Sequence, residues 1–191
     1  MKPFDDKLAR AVVGIAGLGG LGSMVAAALA RTCVGRLILC DFDQVEETNL
    51  NRQNYFEDQV GMRKVDASLL NLKRINPHVT LEPHHDKLFA KDIPRVFKDA
   101  HVICECFDKA DQKQMLVETV LAEMDVPIVT ASGLAGVGQS NLIRTQVISD
   151  RLTMVGDQTH DINLGLPLTA GRVWIAAAHQ ANAIVEHLIN A

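Results

Sequence analysis

A glycine-rich turn near residue 20 constrains the fold of this chain more than any other feature. The stretch VVGIAGLGGLGSMVAAALA, residues 12–30, has the pattern of an apolar strand, a tight turn and an alanine-rich helix. Its glycines include the spacing G-x-G-x-x-G, in which small residues let backbone N–H groups approach a phosphate at the positive end of a helix. These glycines are Gly17, Gly19, Gly20 and Gly22. The stretch therefore predicts a phosphate-binding turn within a strand–helix–strand unit.

Strand and helix patterns alternate along the rest of the chain. Further strands are predicted at residues 36–40, 79–82, 101–106, 127–131 and 139–145, and helices at 20–32, 61–75, 93–98, 111–124 and 173–189. Such alternation is typical of parallel βαβ units, so we expect an α/β, Rossmann-like three-layer fold with a mostly parallel sheet, additional C-terminal strands and a final helix. Residues 156–171 show no clear period and are predicted to form a loop. A length of 191 residues fits a single domain over residues 1–191.

Composition and charge favour a cytoplasmic protein with soluble partners. The net charge of −4 argues against a nucleic-acid partner or an anionic membrane surface. The first residues, MKPFDDKLAR, lack the apolar run of a secretion signal, and no apolar run approaches the roughly 20 residues of a membrane span. The four cysteines lack zinc-site spacing, so we expect buried reduced thiols and no structural zinc. They are Cys33, Cys40, Cys104 and Cys106.

A carboxylate follows the second predicted strand at the distance typical of a nucleotide-binding unit. Asp41 comes 19 residues after Gly22, where an acid accepts hydrogen bonds from ribose hydroxyls. The turn and this acid together predict a ribonucleotide, but they fit NAD and ATP equally well. The alternative is a turn that only packs tightly and binds no ligand.

The segment after this acid, DFDQVEETNLNRQ, favours a triphosphate over NAD. It holds amide and cationic side chains close together, and a further lysine follows in VGMRK. Arginine and lysine match the charge of a triphosphate, whereas asparagine and glutamine hydrogen-bond phosphate or sugar oxygens without adding charge. The alternative for the cationic residues is solvated surface charge. The candidates are Asn49, Asn51, Arg52, Gln53 and Lys64.

A second carboxylate, Asp108, follows the predicted strand 101–106. Ligands of open α/β sheets bind outside the carboxyl ends of the strands, so Asp108 is expected to face Asp41 across a crevice. A lone carboxylate beside a triphosphate is a natural Mg²⁺ ligand. An N-cap for a helix starting near Lys109 explains Asp108 equally well, and the residues alone leave both interpretations open.

These segments together resemble the ThiF/MoeB family, the bacterial relatives of ubiquitin-activating enzymes. The motifs GLGGLGS, DFDQVEETNLNRQ, VGMRK, INPHV and CFD follow the family's order and spacing over roughly residues 12–140. The closing GRVWIAAAHQANAIVEHLI is similar to the family's final helix. The resemblance, to the short single-domain ThiF type, implies ATP-dependent adenylation of the C-terminal Gly-Gly carboxylate of a ubiquitin-like, ThiS-like sulfur carrier protein. It further implies thiamine thiazole biosynthesis, Mg²⁺ and a homodimer.

The resemblance also assigns roles to the candidate residues. The glycines of the turn line the phosphates and sugar, and Asp41 takes the ribose hydroxyls. Asn49, Arg52 and Lys64 contact the phosphates, with a further polar contact from Gln53. Asp108 holds Mg²⁺. The residues that the resemblance implies for catalysis are Arg52, Lys64 and Asp108.

The chain departs from the family pattern at several places. No cysteine follows Cys106, so a covalent intermediate in the loop 156–171 is not expected. Relatives carry an N-terminal helix whose arginine reaches the ATP of the partner subunit, whereas Arg10 lies just before the first predicted strand and is poorly placed to do so. Lys109 and Lys113 stand where relatives often have asparagine and arginine, and Lys113 is a candidate to supply part of this missing charge. We hypothesise that GDQTHDINLGLP within this loop moves to close over the carrier's tail beside the segment QSNLIRT.

Three other functions remain as alternatives. The first is a related ATP-dependent enzyme such as a tRNA threonylcarbamoyladenosine dehydratase, against which the negative charge argues. The second is a catalytically impaired partner protein that still binds a nucleotide. The third is an NAD-linked oxidoreductase, against which Arg52 and Lys64 argue.

Overall fold

The glycine turn joins a strand to a helix as predicted, and one sheet extends on both sides of that strand. The computed structural model describes residues 2–160 and 164–190. Its strands are β1 Val12–Ala16, β2 Arg36–Cys40, β3 Thr80–His84, β4 Val102–Glu105, β5 Ile128–Ala131, β6 Arg144–Ser149 and β7 Leu152–Gly156. Its α-helices are α1 Asp6–Arg10, α2 Gly20–Arg31, α3 Lys64–Ile75, α4 Ile93–Val96, α5 Ala110–Glu123 and α6 Ala170–Asn190.

The strand order places the glycine turn at the reversal point of the sheet. The order is β3-β2-β1-β4-β5-β7-β6, and every pairing is parallel except that of β6 with β7. The chain runs outward from β1 through β2 and β3, then returns to β4 on the other side of β1. In sheets of this kind the crevice between the diverging strands binds ligands at their carboxyl ends.

Alternating side chains along the strands divide the core between two faces. Leu37 and Leu39 join the apolar cluster under α2, α3 and α6, whereas Ile38 joins the cluster under α4 and α5. This period of two is what β geometry dictates for a sheet covered on both sides. Each fully buried aliphatic side chain contributes about 1.5–3 kcal/mol. The α/β, three-layer, mostly parallel fold predicted from the sequence is therefore confirmed.

Two of the predicted elements have the wrong bounds for identifiable backbone reasons. The helix predicted at 61–75 begins only at Lys64, because Gly61 has a left-handed φ of +86° that a helix does not accommodate. The strand predicted at 139–145 is wrong in its first half, where Gln139 is also left-handed, with φ +49°, and a 3-10 turn covers Ser140–Leu142.

The sequence predicts only part of the hairpin that β6 and β7 form. Strand β6 begins five residues later than predicted, and its partner β7 was not assigned at all. Residues of β6 are mostly exposed on both faces, so they carry no apolar alternation to reveal a strand. The predicted loop is shorter than expected, since β7 ends at Gly156 and α6 starts at Ala170. Residues 161–163 of the hypothesised mobile segment lie outside the described residues.

The helices give no sign of a membrane span. Within residues 2–160 and 164–190, none is both long enough and apolar enough to cross a bilayer. The four cysteines are buried and free, as the sequence predicts.

Candidate functional site

The turn after β1 packs too closely against its neighbours to carry side chains at two positions. Gly17 adopts φ +93°, and its N–H donates to the Cys40 carbonyl over 2.8 Å. A Cβ on Gly17 would lie 2.8 Å from the Cys106 carbonyl oxygen, and one on Gly22 would overlap the Gly17 carbonyl oxygen. The ends of β2 and β4 thus fix the path of the turn between them, and both positions require glycine.

The amino terminus of α2 presents uncapped backbone donors beside an unsatisfied amide. Its N-cap residue is Gly19, which makes no side-chain cap bond to the first-turn N–H groups. These groups carry the positive end of the helix dipole. Next to them, the Gln53 side chain is 7% exposed, and its Oε1 has no hydrogen-bond partner among the described residues. Its Nε2 lies 3.8 Å from where a Cβ on Gly19 would be. A buried amide without a partner is costly, so this arrangement fits a polar ligand.

Asp41 directly follows β2 and supports the turn itself. Its Oδ2 accepts the Leu18 N–H over 2.6 Å, and its Oδ1 accepts the Asp43 N–H over 2.8 Å. Burial raises the pKa of Asp41, while the Lys64 ammonium and the two N–H groups oppose that rise. Each carboxylate oxygen keeps a further acceptor position, which a ribose hydroxyl can occupy.

Lys64 lies beside Asp41 but already has an acidic neighbour. It begins α3, is 6% exposed, and places Nζ 3.0 Å from the Asp43 Oδ2. The Tyr55 hydroxyl donates to the Leu18 carbonyl over 2.7 Å, which ties the turn to the loop that precedes α3. Burial raises the pKa of Tyr55, so this hydroxyl stays protonated and remains a donor. Asp43 and Tyr55 are not predictable from the sequence, since neither belongs to a spacing that indicates a ligand.

The segment 47–53 lies over the amino terminus of α2. The Arg52 Cγ is 3.6 Å from where a Cβ on Gly20 would be. Its Nη1 donates to the Thr48 carbonyl over 3.3 Å and to the Asn51 Oδ1 over 2.8 Å. The Asn49 carbonyl accepts the Gln53 N–H over 3.0 Å, which closes the segment into a compact loop. The structure thus brings Arg52 and Gln53 to the glycine turn, while Asn49 and Asn51 lie on the same loop.

Asp108 is exposed just beyond β4, on a loop that touches the turn. The neighbouring Phe107 ring has an atom 3.3 Å from where a Cβ on Gly17 would be. The N-cap position of α5 is Lys109, so the alternative interpretation of Asp108 as that N-cap is wrong. An exposed carboxylate at this edge of the sheet remains free to bind a ligand.

A buried ion pair supports the loop that carries Asp108. Glu105 is fully buried and accepts hydrogen bonds from the Phe107 N–H at 2.6 Å and the Thr130 hydroxyl at 2.6 Å. Lys113 donates to both Glu105 oxygens, at 3.1 and 2.9 Å, and to the Ala131 carbonyl at 3.0 Å. These bonds use all three ammonium hydrogens. The suggestion that Lys113 supplies charge to a phosphate is therefore wrong.

A second buried pair joins the two loops beyond β5 and β7. Arg172 is 2% exposed, and its guanidinium binds Asp157 at 2.5 Å, the Gly138 carbonyl at 2.9 Å and the Leu134 carbonyl at 3.3 Å. Although burial opposes the effect, the backbone N–H groups of His160 and Thr159 and the Arg172 guanidinium hold the pKa of Asp157 well below its usual range.

The low pKa of Asp157 predicts a specific loss of stability in acid. The ionised pair stabilises the fold fully above the unfolded pKa of about 3.9, and this contribution disappears as the pH falls toward the lower folded pKa. We expect urea unfolding to show a large free-energy gap between the wild type and Asp157→Asn near pH 6 that narrows near pH 3. A gap of constant size across that range would contradict the assignment.

Comparisons with known proteins agree with this architecture. The ThiF family model matches residues 2–159. The adenylyltransferase and sulfurtransferase uba4 of Aspergillus clavatus is 38% identical over 134 residues, which is 70% of this chain and 27% of that protein. The chain thus spans about three tenths of the length of the curated relatives it matches.

Two solved structures share the fold over nearly the whole chain. The E. coli tRNA N6-threonylcarbamoyladenosine dehydratase TcdA, in complex with AMP, superimposes with a TM-score of 0.88 at 20% identity, covering 97% of this chain and 88% of that one. E. coli MccB with ATP superimposes with a TM-score of 0.76 at 26% identity, covering 96% of this chain and 57% of that one. With the family match over more than half of its length, the chain belongs to the ThiF family.

Proposed function

We propose that this protein is an adenylyltransferase that uses ATP to activate the C-terminal Gly-Gly carboxylate of a ubiquitin-like sulfur carrier protein. The observation that carries the proposal is the meeting of three elements at one edge of the sheet. These are the uncapped glycine turn, the Asp41 carboxylate, and the segment 47–53 with its arginine. The names of the relatives support the same chemistry, since uba4 is an adenylyltransferase and MccB was crystallised with ATP.

The turn and Asp41 fit the nucleoside and its phosphates. The first N–H groups of α2, from Gly19 onward, point their positive dipole at the crevice, where a phosphate oxygen accepts from them. The close packing at Gly17 and Gly22 lets the backbone approach a ligand without intervening side chains. Gln53 gains a partner for its buried Oε1 if a sugar hydroxyl donates to it.

The cationic residues fit the triphosphate. The Arg52 guanidinium binds a carbonyl and an amide oxygen of its own segment, and a phosphate is a stronger acceptor than either. The Lys64 ammonium lies in the same buried region, and Asn49 lies on the same loop. Asp108 is the residue that would hold Mg²⁺, whose charge offsets that of the phosphates.

The reaction requires positioning and charge compensation more than a protein nucleophile. A carboxylate oxygen of the carrier forms a bond to the α-phosphorus, and the bond from that phosphorus to the bridging oxygen breaks. Pyrophosphate leaves with the electron pair, and a carrier acyl-adenylate remains. Arg52 and Lys64 balance the charge that shifts onto the leaving oxygens. Since no cysteine lies in residues 107–191, we infer that the loop 156–171 forms no covalent intermediate and that the product at this site is the acyl-adenylate.

The choice of carrier protein and of oligomeric state rests on the resemblance of the sequence to the family. We place the carrier in the ThiS-like class, which serves thiamine thiazole synthesis, and the enzyme in the cytoplasm as a homodimer. The tail of the carrier would approach beside the segment QSNLIRT, close to residues 157–160, because Arg172 joins the Gly138 carbonyl to Asp157 there.

The product identifies the reaction directly. We expect intact-mass spectrometry of a ThiS-like carrier, incubated with this protein and Mg·ATP, to show the mass of an added AMP group. A carrier lacking its final glycine serves as the control and is expected to stay unmodified. Binding of ATP without modification of any carrier in a panel that ends in Gly-Gly would overturn the proposed function.

A further inference from the structure

Three consecutive residues at the start of α6 reach different parts of the candidate site. Arg172 binds the carbonyls of the 134–139 loop and the Asp157 carboxylate. Val173 is 3% exposed, and its Cγ1 lies 2.9 Å from where a Cβ on Gly20 would be. Trp174 donates its indole N–H to the Arg52 carbonyl over 2.9 Å, across 122 positions of sequence. One helical turn thus connects the loops beyond β5 and β7 with the segment that carries Arg52.

Burial of apolar surface does not explain why a residue as large as tryptophan stands at position 174. The side chain is 44% exposed, so much of its apolar surface remains in water. What distinguishes it from other large apolar residues is a single N–H donor, and that donor meets the backbone of a predicted phosphate-binding residue. The contact therefore has a geometric consequence for Arg52 beyond packing.

Arg52 needs a fixed backbone to act on a phosphate. Its long side chain has many rotamers, and its guanidinium must exchange the Thr48 carbonyl and the Asn51 amide for a ligand. If the backbone moved as well, part of the binding energy would be spent on ordering the segment. A hydrogen bond from a rigid helix to the Arg52 carbonyl removes that freedom before the ligand arrives.

We propose that Trp174 is a positioning residue that holds the Arg52 backbone so that the guanidinium reaches the ATP phosphates from a fixed point. Arg172, two residues earlier, anchors the same helical turn to the loops beyond β5 and β7. The inference rests on the proposed function, because it assumes that Arg52 binds ATP.

The variant that isolates this contact is Trp174→Phe, which keeps an aromatic ring and removes the donor. Because loss of this bond leaves the Arg52 backbone to be ordered when ATP binds, whereas the bound guanidinium still reaches the phosphates, we expect the KM for ATP to rise roughly three- to tenfold, with kcat within about twofold of wild type. The matched control is Asn182→Ala, which removes an exposed amide from the same helix and is expected to change neither constant. An unchanged KM in Trp174→Phe, with normal thermal unfolding, would overturn the inference.

A second readout comes from the wild-type protein, because Trp174 is its single tryptophan. Indole emission depends on the hydrogen bond that the N–H makes, and this bond is in place before ATP arrives, so saturating Mg·ATP is expected to leave the emission maximum unchanged. Calorimetry under the same conditions shows whether ATP binds at all, which separates the role of Trp174 from the proposed function. Binding of ATP with a clear shift of the emission maximum would show that this bond breaks and would overturn the role of Trp174 alone, whereas no binding of ATP at all would overturn the proposed function and this inference together.

Discussion

Replacing Asp108 with alanine is expected to lower the turnover number of adenylation by roughly 10²–10³-fold. The carboxylate is exposed and caps no helix, so its removal leaves the free energy of unfolding within about 0.5 kcal/mol of wild type. Asp41, the glycine turn and Arg52 are untouched, so the affinity for ATP is expected to fall only a few-fold. The loss thus falls on the chemical step, where the charge of the phosphates must be offset.

Steady-state pyrophosphate release with a carrier protein measures this prediction, and calorimetry with ATP supplies the affinity. Asp108→Asn is the matched variant, since it keeps the shape of the side chain and an oxygen but removes the charge. Both variants are expected to be slow. If the alanine variant retained a third or more of the wild-type turnover, Asp108 would have no part in catalysis.

Replacing Lys113 with methionine is expected to destabilise the fold by about 3–5 kcal/mol. The change leaves the fully buried Glu105 carboxylate without its ammonium partner, although the Thr130 hydroxyl and the Phe107 N–H still donate to it. Phe107 immediately precedes Asp108, so the unpaired charge also disturbs the loop that carries this candidate ligand.

A double-mutant cycle, in which each variant is unfolded with urea, measures the interaction free energy of the ion pair apart from the other contacts of the two residues. Glu105→Gln combined with Lys113→Met removes both charges, and we expect it to recover much of the loss because no buried charge is left unpaired. A loss below about 1 kcal/mol in the single variant would show that Lys113 behaves as a surface cation and that the ion pair is unimportant.

Local spacing was sufficient to predict the parts of the site that lie close together in sequence. The glycines from Gly17 to Gly22 needed only their own pattern, because a turn between strand and helix is a local structure. Asp41 was found because a parallel strand returns to the same edge of the sheet after a helix of ordinary length. The roles of these residues in binding ATP remain predictions.

Contacts that depend on how helices and strands pack together could not be predicted from local spacing. Comparison with the family pattern made Lys113 a candidate to supply charge to a phosphate, but Glu105, the last residue of β4, binds its ammonium. The pair of Arg172 with Asp157 depends on where α6 meets the loop after β7, and the contact of Trp174 depends on how α6 crosses the segment 47–53. Neither pairing follows a spacing in the sequence, because the packing of the sheet and helices sets both.

Carrier-dependent exchange of labelled pyrophosphate into ATP distinguishes adenylation from every alternative function, since exchange requires the reversible attack of a carboxylate on the α-phosphorus. The reaction contains this protein, Mg²⁺ and one of several carriers ending in Gly-Gly, with NAD as a competitor in a parallel series. We expect rapid exchange with one carrier, no exchange without a carrier, and no inhibition by NAD. Tight ATP binding without exchange for any carrier would contradict adenylation of a carrier protein and favour another substrate or an impaired partner protein. Displacement of ATP by NAD would mean that the glycine turn holds a dinucleotide.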